Sequence, residues 1–136
     1  MFLDCTPPWE RSHVVLKSDA LNRDLGPPIL RELIGAGLCV RGPFPFRLAE
    51  MDVRNWSPTA EIHAYAAELF DYLTQPMALV VVEGLTVIAR SSAIKRHIRE
   101  VYGASGHVNM IHAPNTIAEA EREKVIFRSA GRRLPP

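Results

Sequence analysis

Apolar and polar positions alternate along the chain with a period that switches repeatedly between that of a strand and that of a helix. The β-branched run at 13–17, His13-Val14-Val15-Leu16-Lys17, predicts a short strand. Pro27 and Pro28 suit the first turn of a helix, where a missing N–H costs nothing. Leu30, Leu33 and Ile34 follow at helical spacing, and Gly35 or Gly37 ends the pattern. A second strand is expected over 38–46, with Gly42, Pro43 and Pro45 marking an edge or a bulge. A short helix over 48–55 precedes a longer one over 58–73. In the longer one, Ile62, Tyr65, Ala66, Leu69, Phe70 and Leu73 form one stripe.

Residues 77–82 are apolar throughout, as in a central strand covered on both faces. Val87, Ile94, Ile98 and Val101 place the next helix on an apolar face, and 108–111 reads as a short strand. Asn115 or Thr116 caps a last helix that reaches about Arg128, with Thr116-Ile117-Ala118-Glu119 fitting a capping box. The order β-α-β-α-β-α-β-α predicts an α/β fold, an α+β sandwich with a ferredoxin-like βαββαβ core. Its four-stranded antiparallel sheet would carry helices on one face. Residues 1–12 and 130–136 read as irregular tails of a single domain spanning 1–136.

Composition narrows the class. An apolar share of 47% in 136 residues is enough for a core without disulfide or metal staples. Sixteen Lys and Arg against 15 Asp and Glu leave the charge near neutral, which argues against a nucleic-acid or membrane partner. Cys5 and Cys39 lack metal-ligand or framework spacing, so both are expected to be unpaired thiols. No apolar run reaches the roughly 18 residues of a membrane span, and the first residues lack a signal-peptide pattern. A cytoplasmic protein is the expectation. His13, His63, His97 and His107 have no metal-ligand partners by spacing, so no protein-held metal is expected. His107 and His112 should face opposite sides of a strand. Gly103-Ala104-Ser105-Gly106 reads as a plain turn.

Four pieces of the chain then resemble the nucleoside diphosphate kinases, in the order that family has them. The stretch from Val14-Val15-Leu16-Lys17-Ser18-Asp19 to Arg23 is similar to the family's opening K-P-D-x-x-x-R. Pro76 through Val82-Glu83-Gly84-Leu85 resembles its central strand and E-G turn. Asn109-Met110-Ile111-His112-Ala113-Pro114-Asn115 resembles the signature N-x-x-H-G-S-D, and Ala120-Glu121-Arg122-Glu123 the A-x-x-E of its last helix.

The resemblance implies ping-pong phosphoryl transfer between nucleoside triphosphate and diphosphate through a phosphohistidine at His112, with Mg²⁺ carried on the nucleotide phosphates. Imidazole is a competent nucleophile near neutral pH, and a covalent intermediate divides one difficult transfer into two. Carried over by position, Lys17 contacts the transferring phosphate, Arg99 binds phosphate, Asn109 touches the ribose and Glu123 orients His112. Trp56 stands near the family's active-site tyrosine. Tyr65, beside Ala64, substitutes for a missing stacking aromatic. Arg90, Lys95 and Arg96 are alternatives for a second phosphate-binding arginine. Pro114 replaces a serine, Ala113 a glycine, and about ten residues of a phosphate-bracing loop are missing between Glu83 and His112. The family's habit implies a homo-oligomer, a dimer or a dimer-based assembly. The alternatives are a nucleotide-binding or assembly module without efficient transfer, and a ferredoxin-like regulatory domain in which His112 is incidental.

Overall fold

A computed structural model describes residues 9–104, 106 and 108–131. Four strands, β1 (Trp9–Leu16), β2 (Cys39–Phe46), β3 (Met77–Leu85) and β4 (Ile111–His112), form one sheet in the order β2-β3-β1-β4. Every neighbouring pair is antiparallel. The helices are α1 (Ser18–Asn22), α2 (Gly26–Gly35), α3 (Glu50–Trp56), α4 (Ala66–Leu73), α5 (Val87–Tyr102) and α6 (Ile117–Gly131), with a 3-10 turn at Ala60–Ile62. This is the ferredoxin-like antiparallel sandwich that the order of elements predicts.

The apolar run in β3 has the physical cause expected of it. Ala78, Val80 and Val82 pack on one face with Val14, Leu16, Ile29, Leu33 and Ile98. Met77 belongs to the other face, with Val15, Phe46, Val53, Leu73 and Phe127. Helices therefore cover both faces of the sheet, and the expectation of helices on one face is corrected. The α2 and α5 layer lies on one side, and α3, α4 and α6 lie on the other.

β2 is an edge strand, as Pro43 and Pro45 require, and its pairing with β3 shifts between Arg41 and Phe44. Gly42 sits at that irregularity with φ +105°, where a Cβ would stand 2.8 Å from the Leu79 carbonyl oxygen. Thr116 caps α6, accepting the Glu119 backbone N–H at 3.0 Å, while Glu119 Oε2 accepts from Asn115 N–H at 2.7 Å.

Three expectations change. β1 begins at Trp9, so part of the expected tail is strand, and α6 continues to Gly131. The helix expected over 58–73 forms only as α4; Ile62 is 81% exposed and Tyr65 lies outside the buried stripe. Helical spacing there extends past the residues that the sheet can cover. β4 is two residues long and falls at Ile111–His112, later than the predicted 108–111. Cys39 is an exposed free thiol, whereas Cys5, Ser105, His107 and the last five residues lie outside the described set. Among the described residues no helix is long and apolar enough to cross a membrane.

Burial predicts a contrast within α2. Ile29, fully buried, should lose about 2–5 kcal/mol of stability on Ile29→Ala. Ile34, 60% exposed, should change by less than about 0.5 kcal/mol on Ile34→Ala. Urea unfolding of the two variants measures the difference.

Candidate active site

The sheet order puts β1 between β3 and β4, and this decides which side chains meet. Val15 pairs with His112 across β1 and β4. His13, two residues before Val15, shares its face, which is the face covered by α6. Glu123 comes down from α6 between the two histidines and is 2% exposed.

One oxygen of Glu123 organises the group. Its Oε1 lies 2.7 Å from His112 Nε2 and 2.9 Å from His13 Nε2. Its Oε2 accepts from the Trp56 indole N–H at 3.2 Å. Burial alone would raise the Glu123 pKa, but the hydrogen bonds from His112 and His13 outweigh it and hold it down at about 2. The carboxylate is therefore ionised at neutral pH and accepts only. Both imidazoles must then donate from Nε2. In its neutral form His112 keeps its proton on Nε2, and the lone pair stands on Nδ1. Burial lowers the His112 pKa, against the opposing pull of Glu123, so the neutral form is favoured.

His112 lines a cleft of about 290 Å³ together with Lys17, Trp56, Ser57, Asn115 and Arg122. Trp56 meets the His112 ring edge-on at 5.0 Å and also packs edge-on against Phe127 at 5.0 Å. Lys17 follows β1 directly, is 7% exposed, and donates to Asn109 Oδ1 at 2.7 Å. Burial first, and the nearby Arg99 cation second, lower its pKa to about 7. Arg99 donates to the Ile111 carbonyl at 2.7 Å, while its buried Nε has no partner among the described residues. Met110, between Asn109 and His112, has φ +70°, an uncommon conformation for a side chain of this size. The Tyr72 hydroxyl accepts its N–H at 3.3 Å, and its carbonyl accepts from Lys17 N–H at 2.8 Å.

Of the residues chosen from sequence, the fold thus gathers His112, Glu123, Lys17, Asn109 and Trp56, with Arg99 bracing β4 from behind. Two are not gathered. Arg90 donates to the Ala36 carbonyl at 2.6 Å and stands in the first turn of α5, about 13 Å along the axis from Arg99. Tyr65 stacks on His63 at 5.0 Å and does not line the cleft.

Sequence reading also underrated two residues. His13 was expected to have no partner of this kind, yet it, His112 and Glu123 place three ligand-type atoms within 4.8 Å of one another. Lys95, one of three alternatives for a second phosphate-binding cation, is 5% exposed and donates to the Ala113 carbonyl and Asn115 Oδ1, both at 2.8 Å. Its position four residues before Arg99 on α5 was the available signal, because such pairs share a helix face.

A nucleoside diphosphate kinase of Roseiflexus sp. (strain RS-1) is 29% identical over 129 residues, covering 87% of each chain. The chain is similar to the nucleoside diphosphate kinases over most of its length. The nucleoside diphosphate kinase of Aquifex aeolicus, in an orthorhombic crystal form, superposes with a TM-score of 0.72 over 88% of this chain and 94% of that one. At 22% identity that match speaks for the nucleoside diphosphate kinase fold. No protein-family model matches the sequence.

Two pH effects follow from the site. Glu123 titrates at about 2 in the folded chain against an ordinary 4.5, so its contribution to stability is complete above about pH 4.5 and is lost as the pH falls toward 2. Glu123→Gln should flatten that acid limb in unfolding midpoints measured across the window. Lys17 has the opposite sign. Its folded value of about 7 lies below 10.5, so the unfolded chain holds the extra proton between those values and stability rises with pH there. Lys17→Met should be more stable than the parent at pH 6, with the gain shrinking toward pH 10.

Proposed function

We propose that the chain is a phosphotransferase of the nucleoside diphosphate kinase type. It moves a phosphoryl group from a nucleoside triphosphate to a nucleoside diphosphate, or to a related acceptor, through a phosphohistidine at His112. What supports this reading is the clamp on Glu123: with Nε2 held by the carboxylate, the lone pair of neutral His112 falls to Nδ1, in a ring that lines the cleft walled by Lys17.

In the first half-reaction Nδ1 attacks the γ-phosphorus. The N–P bond forms as the bond from phosphorus to the β,γ-bridging oxygen breaks, and the electron pair leaves with the diphosphate. No proton has to move, because Nε2–H stays on Glu123. The ring then carries positive charge delocalised toward the carboxylate, which stabilises it. The second half-reaction runs the same step backwards onto an acceptor diphosphate.

Charge on the phosphoryl oxygens has to be met by fixed cations. Lys17 and Lys95 serve, with Arg99 behind them. Lys17 is well matched to this role. With a pKa of about 7 in the free protein, it is partly protonated at neutral pH and becomes fully charged when a phosphate dianion arrives. Mg²⁺ enters as part of the nucleotide substrate, on its phosphates. The cleft wall fits that route, since Glu119 and Glu123 are its only carboxylates among the described residues and both already accept hydrogen bonds. Asn109 is the proposed ribose contact once Lys17 turns from it to phosphate. The proposed assembly is a homodimer.

Incubation with γ-labelled ATP and Mg²⁺ should give acid-labile label on the protein, and none on His112→Gln. Glu123→Gln, which weakens the orienting acceptor, should slow labelling by about tenfold to a hundredfold, as loss of an orienting partner does for metal-bound histidines. Absence of label with ATP still bound would favour the non-catalytic nucleotide-binding module. Absence of both would favour the regulatory domain.

A further inference from the structure

Beyond the His112 cleft, the same sheet face carries a second cavity, of about 250 Å³, on the other side of His13. Its floor is apolar, made by Leu79 and Val81 of β3 and by Phe127 of α6. Its rim is cationic. Arg11 and Arg41 both bind the same oxygen of Glu83, at 2.7 and 3.1 Å, so one carboxylate serves two guanidinium groups. Across from them α6 contributes Lys124, 3.8 Å from Glu121, and Arg128. Four positive side chains thus face two carboxylates.

We infer that this cavity is a second ligand site, for a small organic anion with a flat apolar body. The volume equals that of about eight waters, enough for one ligand of roughly ten heavy atoms. The apolar floor favours a ring or short chain, and the excess of guanidinium and ammonium groups selects a carboxylate or phosphate head. An uncharged ligand of the same shape would leave that excess unmet.

The site also reaches the His112 centre. His13 lines the cavity, is 5% exposed, and shares Glu123 Oε1 with His112. A ligand that shifts His13 changes how many donors that oxygen holds, and so changes the hydrogen bond to His112. This link rests on the phosphotransfer reading; binding in the cavity does not.

The test is a two-dimensional amide NMR titration of the full chain, without nucleotide, using phenyl phosphate and uncharged benzyl alcohol as probes. Phenyl phosphate should cause saturable shifts at Leu79 and Val81, which lie on the sheet away from the His112 cleft. Arg128→Ala, an exposed change compatible with folding, should weaken this binding by about tenfold. Val81→Phe should abolish it by filling the floor. Benzyl alcohol should bind at least tenfold more weakly than phenyl phosphate. Shifts confined to Ser57 and Asn115, or equal binding of benzyl alcohol, would overturn the assignment. The ring ¹⁵N signals of His112 should move as the cavity fills; signals that stay fixed while Leu79 and Val81 shift would remove the link and leave the site. Because no nucleotide is present, failure here is separable from failure of phosphohistidine labelling.

Discussion

A carboxylate buried to 2% exposure is costly unless its lone pairs are met, and Glu123 meets them with three ring N–H donors from three different elements. His13 comes from β1, His112 from β4 and Trp56 from the end of α3. Each donor is held by the packing around it. Phe127 lies under the group, with ring centroids 5.2 Å from His13 and 5.0 Å from Trp56. The sheet register, the docking of α6 and the position of α3 are therefore tied to a single charged side chain. Removing any donor would leave an acceptor site of a buried anion unmet, which is why the arrangement defines the site rather than merely decorating it.

The cations around this anion have a different logic. Burial is the largest cause lowering the proton affinity of Lys17, Lys95 and Arg99; Arg99 lowers both lysines further, and Lys95 adds to the effect on Lys17. The carboxylates nearby are already engaged: Glu123 with the histidines and indole, Asp19 with the Tyr72 hydroxyl at 2.5 Å. The lysines instead rest on neutral oxygens, Asn109 Oδ1, Asn115 Oδ1 and the Ala113 carbonyl. A stability-driven arrangement would pair such charges or remove them. Cations held on neutral acceptors can instead be transferred to an anionic ligand at lower cost, which is the property a phosphate site requires.

Local pattern made much of the fold legible. The uniform apolar run of β3, the prolines of β2 and the cap of α6 all express constraints contained within a few neighbouring residues. The overlong helix over 58–73 shows the limit: helical spacing there is real, but only Leu69, Tyr72 and Leu73 of α4 find an apolar face to bury. The site divides in the same way. His112, Glu123, Lys17 and Asn109 were legible through a resemblance carried by short motifs. His13 was not, because its partner lies 110 residues away and the pairing exists only once β1 is placed beneath α6. Arg90 and Tyr65 lie outside the cleft, since residue type and approximate position do not say which way a side chain faces.

The departures from the resembled motif become intelligible at this point. Pro114 is buried and brings no donor to the site, and Ala113 is fully buried beside it. Besides His112, Glu123 receives donors from His13 and Trp56, neither of which belongs to the motif. Asn115 is held from α5, where Ser92 and Lys95 both donate to its Oδ1 at 2.8 Å. The turn after His112 is thus fixed by α5 and by the cap of α6, without a hydroxyl from position 114. Two helices and a strand thus brace the histidine: α5 through Ser92 and Lys95, α6 through Glu123, and β1 through His13. Such a site holds the histidine from several elements and opens it onto a cleft of about 290 Å³. The chemistry proposed for His112 depends on the first property, and the range of acceptors it admits depends on the second.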